Sequence, residues 1–281
     1  GVSKDCIDDY LCAETGLPVT LCNCPGHTTH TGLLAELNNR DPRLLQTVCS
    51  PEAGEHTYYL KGHPANIANI VNTGAGGSSS TGYSIAKFYN AAEHLAAHHQ
   101  GTLDAPVFRF GEILLIRAEA AAELGTISQT DLDATVNKLR ERVGFNHKLT
   151  MSPAVDPKLE AEYPNVSANN ATLIREIRRE RRVELFGEGY RFDDLRRWAC
   201  GKRLDASVEP RMGMIPDAKL YSAENITAMQ NVLGTNSKGE LDIYSKRVDT
   251  QARFEDPKNY LFAIPTNEIS INPNLTQNTG W

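Results

Sequence analysis

The sequence predicts a mainly α-helical protein of tetratricopeptide-like helical hairpins, with a long loop-rich region and minor β structure. Three observations predict it. Residues 106–143 carry two apolar patterns of helical period joined by a short linker. Residues 172–198 repeat the arrangement, with Gly187 and Gly189 between two helical stretches. Residues 1–105 show no comparable sustained period. The division expected is therefore a loop-rich, cysteine-rich segment at 1–105, facing ligand, and a helical region with an extended tail at 106–281.

The chain bounds what these elements can do. Its 281 residues, 40% apolar, suffice for a real core. The net charge of −6 argues against a nucleic-acid reader, which would be basic or carry an unopposed basic face. No run of eighteen apolar residues marks a membrane span. No signal peptide is visible, and the start at Gly1 reads as a tag remnant or a fragment edge.

The first element is a short helix over 31–39, ended by Asn38-Asn39 and Asp41-Pro42. Next, "NTGAGGSSSTGY" is a Gly/Ser loop, without the Gly-Lys-Ser/Thr that would make it a phosphate loop. The stretch "SIAKFYNAAEHLAAHHQ" suits another short helix. His94 and His98 are four apart there, but no His-Glu-x-x-His motif surrounds them, so they read as helix surface.

A longer helix is expected in "PVFRFGEILLIRAEAAAELG", with Phe110, Ile113, Leu114, Ala118, Ala121 and Leu124 at helical period. Pro106 and Gly125 bracket it. Its alanines keep the surface shallow, so a partner can approach closely. That partner is "TDLDATVNKLRERVG", with Thr130 as expected cap, Asp133 at the third position and Gly144 as the stop. Helices at 107–124 and 130–143 so close would form an antiparallel hairpin, which needs neighbours to bury its apolar face.

A polar loop with Pro153, Pro157 and Pro164 leads to helices at 172–186 and 190–198. This second pair contains "RRERRVELFGEGYRFDDLRRW". From 172 to 203 there are ten Lys/Arg and six Asp/Glu. Arg181 and Glu184 are three apart, as are Glu188 and Arg191, while Asp193 and Arg197 are four apart. Such pairs meet along a helix, so the reading is a self-bridged scaffold and not a phosphate-binding surface. Residues 204–281 hold two strand-like runs, "LDIYSKRV" and "YLFAIP". The tail "NPNLTQNTGW" needs a packing site for Trp281.

Cys6, Cys12, Cys22, Cys24 and Cys49 fall in the first fifty residues, and Cys200 stands alone. Two readings compete. Cys22 and Cys24, with His27 and His30, are soft donors of the kind that zinc takes. Their Cys-x-Cys spacing is unusual, however, and no second tight pair follows. Disulfides among the five early cysteines are the preferred reading, and no metal or cofactor is assigned.

Three segments in order, "FRFGEILLIRAEAAAELG", "RRERRVELFGEGYRFDDLRRW" and "YLFAIPTNEISINPNLTQNTGW", closely resemble the C-terminal half of the SusD/RagB family. "NNRDPRLLQTV" and "TGYSIAKFY" resemble the segments that precede it. The resemblance covers the chain from about residue 31. It implies a helical, lipid-anchored protein on the outward face of the bacterial outer membrane. Such a protein captures glycans, or in some branches peptides, and closes over a TonB-dependent SusC-like transporter. Arg181, Glu184, Arg191, Asp194 and Trp198 are then scaffold. The family's lipidated cysteine and N-terminal repeats are not seen in this sequence, and Cys6 is not read as the lipidation site.

Three functions follow for comparison. A glycan site wants aromatic platforms beside amide or hydroxyl groups. Tyr58, Tyr59, Asn66, Tyr83 and Tyr89 are the candidates, each opposed by ordinary packing of the ring in a core. A peptide-binding helical adaptor of the same family type is the alternative. A glycoside hydrolase is less favoured, because no motif selects a pair of carboxylates and no catalytic residue is assigned. The expected partners are a glycan and the transporter, with no nucleic acid and no membrane contact except through an anchor outside this chain.

Overall fold

The computed structural model describes residues 1–28, 32–50, 79–88, 102, 104–167, 169–247 and 251–281. Four short helices open the chain: α1 (Lys4–Ile7), α2 (Pro25–Thr28), α3 (Leu33–Leu37) and α4 (Arg43–Thr47). The helical body follows as α5 (Phe110–Glu123), α6 (Gln129–Ala134), α7 (Val136–Arg142), α8 (Pro157–Glu162), α9 (Ala171–Glu184) and α10 (Arg191–Arg197). After a 3-10 turn at Gly201–Leu204 come α11 (Ala223–Leu233), a second 3-10 turn at Lys258–Tyr260 and α12 (Thr266–Ile271).

The mainly helical architecture expected is the one that forms. Its β content among the described residues is limited to isolated bridges, including Met212 with Asp242 and Thr235 with Leu241. Among its described residues, the run beginning at Leu241 therefore pairs only at its first two positions. "YLFAIP" lies on the second 3-10 turn and the coil leading to α12.

The first hairpin forms with a shifted cap. Ser128, and not Thr130, caps α6: its hydroxyl accepts from the Asp131 amide, and the Asp131 carboxylate returns a bond from the Ser128 amide. This reciprocal arrangement satisfies two helix-end donors at once. The expected second helix is also split. Thr135 leaves helical geometry at φ −126° and ψ −92°, and its hydroxyl donates to the Asp131 carbonyl at 2.6 Å. Competition of a threonine hydroxyl for a backbone carbonyl is a known helix disruptor.

The buried stripe of α5 differs from the expected one. Gly111, Leu115, Ala118 and Ala122 face inward, whereas Phe110, Ile113, Ile116 and Leu124 are exposed. The small residues let α9 lie close against α5. Around that contact, one core gathers Leu115, Leu132, Leu139, Ile174, Ile177 and Trp198. A second core joins Ile7, Tyr10, Leu33 and Leu44 to Val183, Met214 and Leu241. The described residues of the early segment are thus packed onto the helical body. At the other end, Trp281 finds its expected contact only in part. Its indole donates to the carbonyls of Leu261 at 3.0 Å and Lys258 at 3.2 Å, with 48% of the residue still exposed.

Candidate functional site

The α9–α10 pair sets the electrostatics of the molecule. α9 turns one face of glutamates and another of arginines toward the interior, and its partners come from distant parts of the chain. Glu184 receives Arg43 at 3.1 Å, Arg109 at 2.6 Å and Arg142 at 2.9 Å. Glu180 receives Arg43 at 2.5 Å and Arg140 at 2.8 Å. Glu188 receives Lys87 at 2.6 Å and Arg109 at 2.8 Å. The near-neighbour pairing read from the sequence is therefore mostly replaced by tertiary bridges. Arg197 pairs with Asp194 at 2.9 Å and Glu119 at 2.6 Å, while Asp193, its expected partner, meets Arg196 at 3.6 Å.

The other scaffold residues serve the same junction. Arg181 donates from Nε to both Asp194 oxygens, at 2.9 and 2.8 Å, which ties α9 to α10. Trp198 donates from Nε1 to Glu119 at 2.6 Å and meets Tyr163 edge-on, with ring centroids 5.6 Å apart. Arg191 donates to the Tyr163 hydroxyl at 3.0 Å. Burial alone would push the Glu180 carboxyl up. The Arg140 and Arg43 guanidiniums more than reverse this and hold it at about 2.

An open cavity of about 570 Å³ lies where α9 and α10 meet the start of the chain. Val2, Phe186, Tyr190, Phe192 and Tyr244 supply apolar and aromatic wall, and Arg191 supplies a polar edge. The bordering arginines are largely neutralised. Arg182 meets Asp5 and Asp9, each at 2.6 Å, and Arg203 meets Glu162 at 2.9 Å and Glu209 at 2.7 Å. A neutral ligand with apolar faces and polar edges suits such walls better than a bare anion. Asp5, Glu162 and Glu209 come near enough to share a cation. Arg182 and Arg203 already occupy that space with positive charge.

Of the expected ligand contacts, Tyr83 falls among the described residues. Tyr83 is a core residue: it is 1% exposed, and its hydroxyl donates to Glu36. Its ring face is taken by packing, which corrects the expectation of a stacking surface at this position. Tyr58, Tyr59, Asn66 and Tyr89 lie outside the described residues, as do His94 and His98. The cavity aromatics Phe192 and Tyr244 were missed by sequence reasoning. Phe192 sits inside a charged helix, and Tyr244 in a run that reads as strand.

The cysteines divide in two. Cys6 and Cys49 lie apart in separate core clusters, while Cys12, Cys22 and Cys24 meet in one. All six cysteines are free thiols, so none of the expected disulfides is formed in this structure. The donor atoms of Cys12, Cys22, Cys24 and His27 all lie within 4.8 Å of one another, and all four residues are buried. Cys12 is the member that sequence spacing did not place beside the Cys-x-Cys pair. His30, named with that pair, lies outside the described residues.

A family model described as the SusD family matches residues 1–281. No curated protein matches the chain. Among solved structures, a SusD-like carbohydrate binding protein from Bacteroides fragilis is similar, with a TM-score of 0.63 and 23% identity. The alignment covers 98% of this chain and 48% of that one. A second SusD-like protein from Bacteroides fragilis aligns with a TM-score of 0.61 and 22% identity, over 100% of this chain and 47% of that one. The chain thus spans about half the length of these solved structures, and the likeness shows a shared fold. With the family model matched from end to end, the chain belongs to the SusD family.

Proposed function

We propose that this protein is a non-catalytic, cell-surface capture protein. It binds glycans on the outward face of the outer membrane and passes them to a TonB-dependent, SusC-like transporter. The observation that carries this reading is the family match over residues 1–281. The similar Bacteroides fragilis protein, described as carbohydrate binding, supports the ligand class. The described helices include none long and apolar enough to cross a membrane. Surface attachment in this reading therefore rests on a lipid anchor outside the described residues.

The ligand is a neutral or weakly polar glycan. Tyr58, Tyr59, Asn66 and Tyr89 remain the proposed contacts in the early segment. The aromatic cavity beside α10 offers a second wall of suitable chemistry through Phe192 and Tyr244. The net charge of −6 disfavours a strongly anionic ligand, and Arg181, Arg182 and Arg203 beside the cavity are held by carboxylates.

Titration calorimetry against a panel of neutral glycans and peptides tests the proposal, with chromatography of the mixtures to detect products. The expected result is saturable binding of at least one glycan, with the glycan recovered intact. Peptide binding without glycan binding would instead favour the adaptor reading. Released sugar would make the protein a hydrolase.

A further inference from the structure

We propose that Cys12, Cys22, Cys24 and His27 form a closed, structural zinc site that staples the early segment of the chain. The four side chains converge from three turns and present three sulfurs and one imidazole nitrogen to a common point. Three thiolates with one imidazole is a donor set that zinc takes in structural sites, and four protein ligands leave no open position for substrate or water. Soft sulfur donors also select against calcium and magnesium, which prefer oxygen.

The spacing of the donors fits coordination better than a disulfide. Cys12 Sγ and Cys24 Sγ are 3.6 Å apart. In a tetrahedral site with zinc–sulfur bonds of about 2.3 Å, two sulfurs sit about 3.8 Å apart. A disulfide needs about 2.05 Å. Cys22 Sγ and His27 Nδ1 are closer, at 2.8 Å, so this one edge opens as the metal enters. The other ring nitrogen, Nε2, lies 3.2 Å from the Asn38 carbonyl oxygen. A carbonyl only accepts, so Nε2 carries the hydrogen, and Nδ1 turns its lone pair toward the sulfurs. A backbone acceptor that fixes the tautomer in this way is the usual outer support of a zinc-bound histidine.

The backbone holds the donors in place before any metal arrives. The Cys12 amide donates to the Leu17 carbonyl at 2.9 Å, the Cys22 amide to Pro18 at 3.0 Å and the His27 amide to Cys24 at 2.8 Å. Gly16 makes the first of these turns possible. It adopts φ +69°, and a Cβ there would meet the His147 ring carbon at 2.6 Å. The site also answers a structural need. Among the described residues, only Leu17 packs against the three sulfurs as an apolar neighbour, so the region has little core of its own. Binding is an acid–base exchange without redox chemistry. Zn²⁺ enters, the three thiol protons leave to solvent, and no electron moves.

The chain is produced in zinc-supplemented medium, purified without chelator or reductant, and weighed intact by native mass spectrometry alongside elemental analysis. One zinc per chain is expected, falling to none in Cys22→Ser, Cys24→Ser and His27→Ala. Cys49→Ser, outside the cluster, should retain the metal. Since ligand variants can fail to fold, the wild-type protein is also stripped and refilled with Co²⁺. A tetrahedral, thiolate-rich cobalt spectrum is expected. A zinc-free chain carrying a Cys12–Cys24 disulfide overturns the proposal. Zinc retained after loss of Cys24, or an octahedral cobalt spectrum, overturns it too.

Discussion

Glu180 and Glu184 each accept from more than one guanidinium inside the protein, and that sharing decides how they respond to change. Both side chains are nearly sealed from water, so neither charge is tolerable alone. Glu180→Gln should leave Arg43 and Arg140 short of one counter-charge and lower stability by about 3–5 kcal/mol in urea unfolding. The pH dependence has a fixed sign. The folded carboxyl is held at about 2 against an ordinary value of 4.5. Its contribution is therefore complete above about pH 4.5 and is lost as pH falls toward 2. The stability gap between wild type and Glu180→Gln should shrink across that window, and a gap independent of pH would contradict the assignment. Arg181 is a different case. It borders the cavity, but its Nε is committed to both Asp194 oxygens. Arg181→Ala should lower the melting temperature and leave glycan affinity within about twofold, the range in which residues outside a hot spot fall. Unchanged stability with lost binding would place the helix pair in the site.

The α5–α9 contact shows at the scale of elements why small residues matter. Ala118 and Ala122 are fully buried, so added volume there has nowhere to go. Ala118→Leu should cost about 1–3 kcal/mol through overpacking. Ala120→Leu, on the exposed face of the same helix, should cost almost nothing. Equal costs in denaturant melts would mean that the helix is rotated from the orientation described. Both helix pairs were legible in the sequence because the glycine stops and the apolar period mark their extents. The rotation of α5 was not. "FGEILLI" is apolar on two sides, and a period cannot say which stripe a partner covers. That choice depends on the shallow alanine face, which only the position of α9 reveals. The break at Thr135 was hidden for a related reason, since one hydroxyl competing for a carbonyl leaves the apolar pattern intact. The candidate site was less legible still. Tyr83 looked like a platform and serves the core, whereas Cys12 looked unrelated to Cys22 and Cys24. Burial and convergence over ten residues are tertiary facts without a local signature.

The whole molecule is held by contacts that run between its first fifty residues and its helical body. Tyr10, Leu33 and Leu44 share a core with Val183, Met214 and Leu241. Asp9 sits between Lys158 at 2.5 Å and Arg182 at 2.6 Å. Burial pushes its carboxyl up, but those two cations hold it well below the ordinary carboxylate range. Arg43, from the same early segment, reaches the carboxylates of α9. The described residues of the loop-rich start thus share core and ion pairs with the helical body, and the two are expected to unfold together. A chain beginning at Thr102 should lose this arrangement in two ways. Val183, Met214 and Leu241 would be exposed together, and Arg182 would lose Asp5 and Asp9 while Glu180 lost Arg43. Stranding buried charge and apolar surface at once should leave a state with helical circular dichroism but no sharp thermal transition, and with bound ANS dye. Supplying residues 1–101 as a separate chain should restore part of the transition if the interface alone is at stake. A sharp transition at the wild-type temperature in the truncated chain would show instead that residues 102–281 fold as an independent domain.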